Sequence, residues 1–318
     1  MLFPVRLPLC RATAPRLFVI SPLRVFNPCF VFRPDVLARA CWRKLRARPV
    51  SRVVRTAWND ELEVEPREFI GAQVYLRGVH ELAVCEVLWR LAKPGERVVD
   101  VGANIGVMTS LLSKRVGCSG QVFAFEPHPR LFARLRRNAH RWNRNNVLTL
   151  NWAVSDHTGT SLLWETAGFA ENTGTAAFSP DSVDGRSFEV RTVRLDHALP
   201  SGDYGLLKLD VEGHEQKALT ALGLAHARFR DIVFESRDHS ATVVHRFLAN
   251  LGYHIFGIRS SFCGPTLFTV DAVDSADVLT ADYLATQQPE RAIERLAPRG
   301  WNVLWSRKDE SLRLGGFA

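Results

Sequence analysis

Four titratable side chains are concentrated in the segment DVEGHE at positions 210–215. Asp210 follows an apolar run that predicts a buried strand, and Glu212 and His214 lie on the turn after it. A carboxylate and an imidazole so close together can act as a base and its orienting partner in a reaction that removes a proton. The alternative interpretation is that Glu215, the last acid of the segment, stabilises the first turn of a helix and that His214 is an ordinary turn residue. The segment predicts acid–base chemistry.

A second motif, VVDVGANIG at positions 98–106, joins a β-branched run to an apolar segment through two glycines. Gly102 and Gly106 allow backbone amides to approach a bound small molecule closely. Their spacing is neither the dinucleotide fingerprint G-x-G-x-x-G nor a P-loop, which ends in Gly-Lys-Ser/Thr. Asp100, two residues before the first glycine, suits a cationic ligand end such as the amino group of S-adenosylmethionine better than a pyrophosphate.

Another acid ends the next predicted strand, because the run QVFAF stops at Glu126. In a doubly wound α/β sheet, ligands lie beyond the carboxyl ends of the strands, and an acid at the end of the second strand can bind both ribose hydroxyls. The alternative is that Glu126 caps the helix that begins near Pro129. Together with the glycine loop, Glu126 predicts nucleoside binding.

Four segments together resemble the FkbM-type S-adenosylmethionine-dependent methyltransferases, a branch of the Rossmann-like methyltransferases that act on hydroxyl groups. The segments occur in the family's order: KPGERVVDVGANIG (93–106), VFAFEPHP (122–129), NTG (172–174) and LLKLDVEGHEQKAL (206–219). The last of them is the most specific. The resemblance implies S-adenosylmethionine as cofactor and a hydroxyl on a sugar, glycan or secondary metabolite as acceptor.

The resemblance also implies which residues form the site. Cofactor contacts are implied for Glu81, Asp100, Gly102, Asn104, Gly106, Glu126, Asp156, Asn172 and Gly174. Asp156 is chosen from positions 153–156 as the adenine-contacting residue after the third strand. Glu235, which ends the predicted fifth strand, joins Asp210, Glu212 and His214 as a candidate for catalysis or for binding substrate hydroxyls.

Acid–histidine pairs at three places offer metal ligands: Asp196-His197, Glu212-x-His214 and Asp238-His239. None has the i, i+4 spacing of a helical zinc site. We therefore predict no metal site, and a magnesium-assisted route stays open as the alternative.

Two other classes of protein would have the same cofactor-binding motifs. A methyltransferase acting on amino groups of nucleic acid or protein would present an Asn/Asp-Pro-Pro-Tyr/Phe turn after the fourth strand, where this chain has LDVE at positions 209–212. A non-catalytic S-adenosylmethionine-binding module is disfavoured by the intact acids at positions 210, 212 and 235. We predict an O-methyltransferase acting on a hydroxyl-bearing small molecule or glycan.

The net charge of +8 is unevenly distributed along the chain. Residues 1–55 contain 12 of the 41 Lys and Arg residues and one of the 33 acids, so the remainder is mildly acidic. A basic cleft for nucleic acid is therefore not predicted. The apolar stretch at residues 17–32 is too short and too interrupted for a membrane span. Contact of this basic arm with an anionic membrane surface is the less favoured alternative.

The six cysteines contain no C-x-x-C pair, which indicates a reduced, cytoplasmic protein. We predict three parts: a poorly ordered basic extension (1–70), a methyltransferase domain (71–308) and a tail (309–318). The oligomeric state stays open.

The alternation of strand and helix patterns predicts an α/β fold of the Rossmann-like class I methyltransferase type. It consists of a mostly parallel seven-stranded sheet with helices on both faces, completed by strands at residues 253–258 and 302–305. The turn-rich residues 156–200 predict a β-rich insertion between strands three and four, where a substrate wall would lie.

Overall fold

The computed structural model describes residues 27–33, 36–38, 50–165, 169, 172–173, 178, 186–211, 213–220, 227–236, 240–269 and 282–304. The predictions for Gly174, Glu212, the Asp238-His239 pair and the 309–318 tail lie outside these residues, as does most of the N-terminal extension. In the described ranges, no helix combines the length and apolar character needed to cross a membrane.

The described strands are β1 (Arg52–Arg55), β2 (Glu61–Val64), β3 (Arg97–Val101), β4 (Gln121–Phe125), β5 (Val147–Leu150), β6 (Trp152–Val154), β7 (Gly159–Trp164), β8 (Ser187–Val193), β9 (Gly202–Leu209), β10 (Ala227–Glu235), β11 (His254–Ser261), β12 (Gly264–Thr269) and β13 (Asp282–Thr286). The helices are α1 (Pro28–Val31), α2 (Phe69–Arg77), α3 (Leu82–Leu91), α4 (Val107–Val116), α5 (Pro129–Arg141), α6 (Leu195–Ala198), α7 (Glu215–Thr220), α8 (Ser240–Asn250) and α9 (Pro289–Leu296).

A central sheet of eight strands runs in the order β12-β11-β13-β10-β9-β3-β4-β5. The strands from β10 to β5 are parallel, and β13, β11 and β12 extend the sheet in antiparallel fashion. This confirms the α/β class with its mostly parallel sheet. Because β9, β3 and β4 are neighbours and parallel, their carboxyl ends meet at one edge of the sheet.

The central sheet has eight strands and not the predicted seven. The difference lies at its antiparallel end. Residues 302–304 form a helical turn and not a strand. The carboxylate of Glu86 explains this difference, because it accepts the backbone N–H groups of Asn302 and Val303 at 2.9 Å each. Strand β13 takes the place between β10 and β11 instead.

The β-rich insertion is present as a second sheet, of three strands, in the order β6-β8-β7. Residues 147–154 form two strands, β5 and β6, which are separated at Asn151. The Asn151 side chain donates to the carbonyl oxygens of Glu126 and Pro127 at 2.8 and 2.9 Å. The chain therefore leaves the central sheet after β5 and enters the insertion at β6.

The β1–β2 hairpin packs into the core beneath the sheet. Trp58, Leu62 and Val64 are fully buried, in one cluster with residues of α3 and α4. The indole N–H of Trp58 donates to the Ser110 hydroxyl at 3.0 Å. The boundary at residue 70 stays a prediction, and this packing supports a revised proposal in which the folded domain includes residues before 70.

Candidate active site

A pocket of about 1050 Å³, counting the space at its open mouth, lies at the carboxyl ends of β3, β4 and β9. Seven predicted site residues line it: Glu81, Gly102, Asn104, Glu126, Asn172, Asp210 and Glu235. Asp100, Gly106, Asp156 and His214 are not among the lining residues.

The glycine loop between β3 and α4 lies directly against the end of β9. Gly102 has a φ of 77°, and a Cβ atom there would lie 1.8 Å from the carbonyl oxygen of Asp210. Only glycine allows this approach. Gly106 has a φ of 94°, and a Cβ there would come within 2.8 Å of the Leu135 side chain. Gly106 therefore serves the packing of α4 against α5, whereas Gly102 shapes the pocket.

Glu126 is held at the end of β4 by two backbone amides. Its two carboxylate oxygens accept the N–H groups of Asn104 and His128, each at 2.8 Å. The residue is 5% exposed, and burial raises the pKa of its carboxyl group to about 7, against the opposing effect of these hydrogen bonds. The fixed carboxylate retains lone pairs that can accept hydrogen bonds from ligand hydroxyls.

Lys208, which was not among the predicted site residues, lies between the glycine loop and the end of β9. Its ammonium lies 3.1 Å from Oδ2 of Asp210, 3.4 Å from the carbonyl oxygen of Gly102 and 3.9 Å from Oδ1 of Asp100. Burial lowers its pKa, but the nearby carboxylates outweigh burial and raise the pKa overall. Lys208 is therefore a charged group. The feature of the sequence that could have identified Lys208 is its position as a charged residue inside the otherwise apolar strand GLLKL.

Asp100 lies behind the pocket wall. Its side chain is fully buried and accepts a hydrogen bond from the Thr109 hydroxyl at 2.5 Å. Burial raises the pKa of its carboxyl group, and the Lys208 ammonium opposes this effect. The geometry connects Asp100 to the pocket through Lys208, and direct contact with a cofactor stays a prediction.

His214 and Asp156 are turned towards the insertion. The His214 ring lies 4.4 Å from the Phe178 ring, and its Nε2 is 3.0 Å from the Ser155 hydroxyl. Burial lowers the pKa of His214 to about 4. Asp156 is bound to the neighbouring His157 at 2.8 Å. From the segment chosen for adenine contact, Ala153 and Val154 line the pocket and Asp156 does not.

Two consecutive residues ahead of α3, His80 and Glu81, also line the pocket. The Nε2 of His80 lies 3.3 Å from Oε1 of Glu81. Phe69 stands edge-on to the His80 ring at 6.0 Å between ring centroids and is half exposed. Neither His80 nor Phe69 was expected from the sequence, because no motif contains them.

The NTG segment lies over the glycine loop, as its described residues show. Asn172 lines the pocket, and the Asn104 side-chain amide is 3.5 Å from the Thr173 hydroxyl. Among the described residues, no group of three or more His, Cys, Asp or Glu side chains is arranged to hold a metal ion.

Comparison with known proteins defines the class of this site. Residues 100–255 match the methyltransferase FkbM domain. The hexuronic acid methyltransferase AglP of Haloferax volcanii is 33% identical over 150 residues, which cover 46% of this chain. The chain spans 57% of the length of AglP. The 31-O-demethyl-FK506 methyltransferase FkbM of Streptomyces tacrolimicus is 31% identical over 205 residues, covering 54% of this chain and 73% of that protein.

The family model and both relatives are methyltransferases by name. More narrowly, the chain belongs to the FkbM methyltransferase family. Among solved structures, an S-adenosylmethionine-dependent O-methyltransferase of Thermotoga maritima is 13% identical, with 79% of this chain and 96% of that chain covered and a TM-score of 0.38. This likeness adds nothing to the fold that the strand order already defines.

Proposed function

We propose that the protein transfers a methyl group from S-adenosylmethionine to a hydroxyl group of a sugar, glycan or secondary metabolite. The observation that carries the proposal is that one pocket contains both the Glu126–glycine-loop half and the Lys208–Asp210 pair at the end of β9. The names of the relatives agree with this acceptor class, since one acts on a hexuronic acid and the other on a 31-O-demethyl compound.

The cofactor half is assigned by the shape and polarity of the pocket. Glu126 would accept hydrogen bonds from the two ribose hydroxyls, and the glycine loop would bind the methionine end. Trp152, Ala153 and Val154 supply the apolar surface for the adenine ring. When bound, S-adenosylmethionine supplies the methyl group on a positively charged sulfur.

The acceptor half is assigned to the ends of β9 and β10. Lys208 fixes the Asp210 carboxylate by their 3.1 Å contact, so Asp210 is suited to orient the acceptor hydroxyl. Glu235, at the end of β10, lines the same pocket and is proposed to bind a second hydroxyl. Glu212 stays a predicted candidate, and the proposal assigns no chemical role to His214.

Binding of the cofactor is the first test. Calorimetric titration of the purified protein should show binding of S-adenosylmethionine and no binding of NAD, because the loop lacks the third glycine of a dinucleotide site. The opposite selectivity would contradict the proposal.

The acceptor class is the second test. Glycan, glycolipid and metabolite extracts, with protein and RNA as separate fractions, are incubated with methyl-labelled S-adenosylmethionine. Label in an ether linkage of the first three supports the proposal. Label confined to protein or RNA would favour the other methyltransferase classes. It stays a prediction that nucleic acid is not a partner of this protein and that the protein is cytoplasmic. Membrane contact of the basic arm stays the less favoured alternative.

A further inference from the structure

Glu215, the first residue of α7, is a buried acid that has no role in the function proposed so far. It is 6% exposed and is not among the residues that line the pocket. Its Oε1 atom accepts two backbone N–H groups, that of Val211 at 3.2 Å and that of Gly213 at 3.1 Å. Both amides precede the helix, so the carboxylate holds the turn that follows β9.

The peptide group between Asp210 and Val211 is in contact on both of its sides. Its carbonyl oxygen lies so close to Gly102 that a Cβ atom there would be 1.8 Å away, and its N–H donates to Glu215. One peptide group earlier, the N–H of Asp210 donates to the carbonyl oxygen of Val101 at 3.1 Å. The main chain at Asp210 is therefore held by the end of β3 on one side and by Glu215 on the other.

The place of the Asp210 carboxylate depends on this main-chain support. The Asp210 side chain lines the pocket and lies 3.1 Å from the Lys208 ammonium. A shift of the main chain would move the carboxylate away from the acceptor hydroxyl that we assign to it. Misplacement of a catalytic group by about 1 Å can reduce turnover by about 10²-fold.

Electrostatics also connect the two acids. Burial raises the pKa of the Glu215 carboxyl group, the hydrogen bonds from the turn oppose this effect, and the nearby Asp210 carboxylate adds to it. A buried acid is costly unless it is hydrogen-bonded, and the amides of the turn supply those bonds. The turn and Glu215 therefore stabilise each other beside Asp210.

We infer that Glu215 is a positioning residue of the methyl transfer and acts by fixing the peptide group between Asp210 and Val211. The inference rests on the proposed function, in which Asp210 orients the acceptor hydroxyl. Glu215 itself neither touches the acceptor nor takes its proton. An acid in the first turn of a helix is favourable by its charge alone, but that effect does not require bonds to amides ahead of the helix.

Substitution at position 215 tests the inference with methyl glucuronide and methyl galactoside as acceptors. Glu215→Ala should lower kcat by about 10–10²-fold, the scale for a misplaced group. Glu215→Gln, whose carbonyl oxygen also accepts N–H groups, should retain most of the activity. Binding of S-adenosylhomocysteine should be unchanged in both, which shows that they are folded.

The matched control is Glu290→Ala, which removes an exposed acid from the first turn of α9 and should behave as wild type. Unchanged kcat in Glu215→Ala, or an equal loss in Glu215→Gln, would overturn the inference.

A double-mutant cycle separates positioning from a general loss of stability. If Glu215 acts through Asp210, Glu215→Ala should lower kcat little further in a protein that already carries Asp210→Asn, because the group to be positioned is lost. Losses that multiply in full would show that Glu215 acts independently of Asp210 and would exclude the assigned role.

Hydrogen exchange gives a readout that does not depend on turnover. The N–H groups of Val211 and Gly213, followed by nuclear magnetic resonance, should exchange faster in Glu215→Ala and close to the wild-type rate in Glu215→Gln. Equal rates in all three proteins would overturn the inference for any acceptor. If the wild-type protein methylates neither probe nor any extract, the proposed function fails, and the exchange rates still decide whether Glu215 holds the turn.

Discussion

At the scale of single residues, Glu126 has the most unusual chemistry in the cofactor half. A carboxyl group whose pKa lies at about 7 is only partly ionised at neutral pH. Ribose hydroxyls donate hydrogen bonds, so they bind the ionised form better than the protonated form. Since ionisation increases as pH rises through the pKa, cofactor affinity should increase in the same direction and level off above it.

The first prediction therefore concerns Glu126→Gln. This change should weaken S-adenosylmethionine binding by about 1–3 kcal/mol, the scale for losing a partner of a buried polar group. It should also remove the proton release that accompanies binding near the Glu126 pKa. Calorimetry in two buffers of different ionisation enthalpy measures both. Glu235→Gln, in the acceptor half, is the control and should keep the proton release. A wild-type affinity that does not depend on pH would contradict this reading.

Asp210 carries the second prediction at this scale. Asp210→Asn weakens the contact with Lys208 and misplaces the acceptor hydroxyl, which should reduce turnover by roughly 10²-fold. Cofactor affinity should change little, because Glu126 and the adenine surface lie elsewhere in the pocket. The measurement is kcat with a labelled acceptor beside the dissociation constant. Asp196→Asn, whose side chain pairs with Arg194 outside the pocket, is the control. Near-normal turnover in Asp210→Asn would remove this residue from the mechanism.

At the scale of elements, the site depends on how closely the β3–α4 loop approaches the end of β9. The N–H of Asp210 donates to the carbonyl oxygen of Val101 at 3.1 Å, so the two chain segments remain paired beyond the strands themselves. Lys208 adds its contact to the carbonyl oxygen of Gly102. The loop and the strand end are therefore held together by contacts of both backbone and side chain.

The third prediction tests this approach with two glycines of similar backbone geometry. Gly102 and Gly252 have φ values of 77° and 84°, but a Cβ atom at Gly252 has no neighbour within 4 Å. Gly252→Ala should cost about 1–2 kcal/mol for the left-handed backbone alone. Gly102→Ala adds a clash with the backbone of Asp210, so it should be more destabilising in urea unfolding and should also weaken cofactor binding. Equal effects of the two changes would show that the close approach of Gly102 to Asp210 matters neither for stability nor for cofactor binding.

At the scale of the whole molecule, segments that are far apart in the sequence pack into one hydrophobic core. The hairpin before α2 contributes Trp58 to the cluster shared with α3 and α4. On the other side, Arg90 of α3 donates to the carbonyl oxygens of Leu296 and Gly300, at 3.2 and 2.8 Å. Segments that precede and follow the central strands in the sequence therefore pack on the face of the sheet that α3 and α4 cover.

The fourth prediction is that the folded domain includes residues before 70. Trp58→Ala should lower the free energy of unfolding by about 3–5 kcal/mol, the range for removing a large buried aromatic side chain. Val50→Ala is the control, since Val50 is 67% exposed and should change stability little. Denaturant unfolding measures both. A small effect of Trp58→Ala would support the original boundary at residue 70.

The sequence by itself determined the alternation of strands and helices that forms the parallel part of the sheet, and the ends of the strands that carry Glu126, Asp210 and Glu235. Strand periodicity and turn residues act over a few positions, so they are readable without the fold. The FkbM resemblance joined these pieces into one domain.

The tertiary structure alone decided which side chains share the pocket. In the fold, Asp100 lies behind Lys208, His214 contacts Ser155, and His80 lines the same pocket as Asp210. Position along the chain specifies which edge of the sheet a residue reaches. Whether its side chain faces a ligand depends on contacts between segments about a hundred residues apart, such as Gly102 with Asp210, and local patterns carry no record of those contacts.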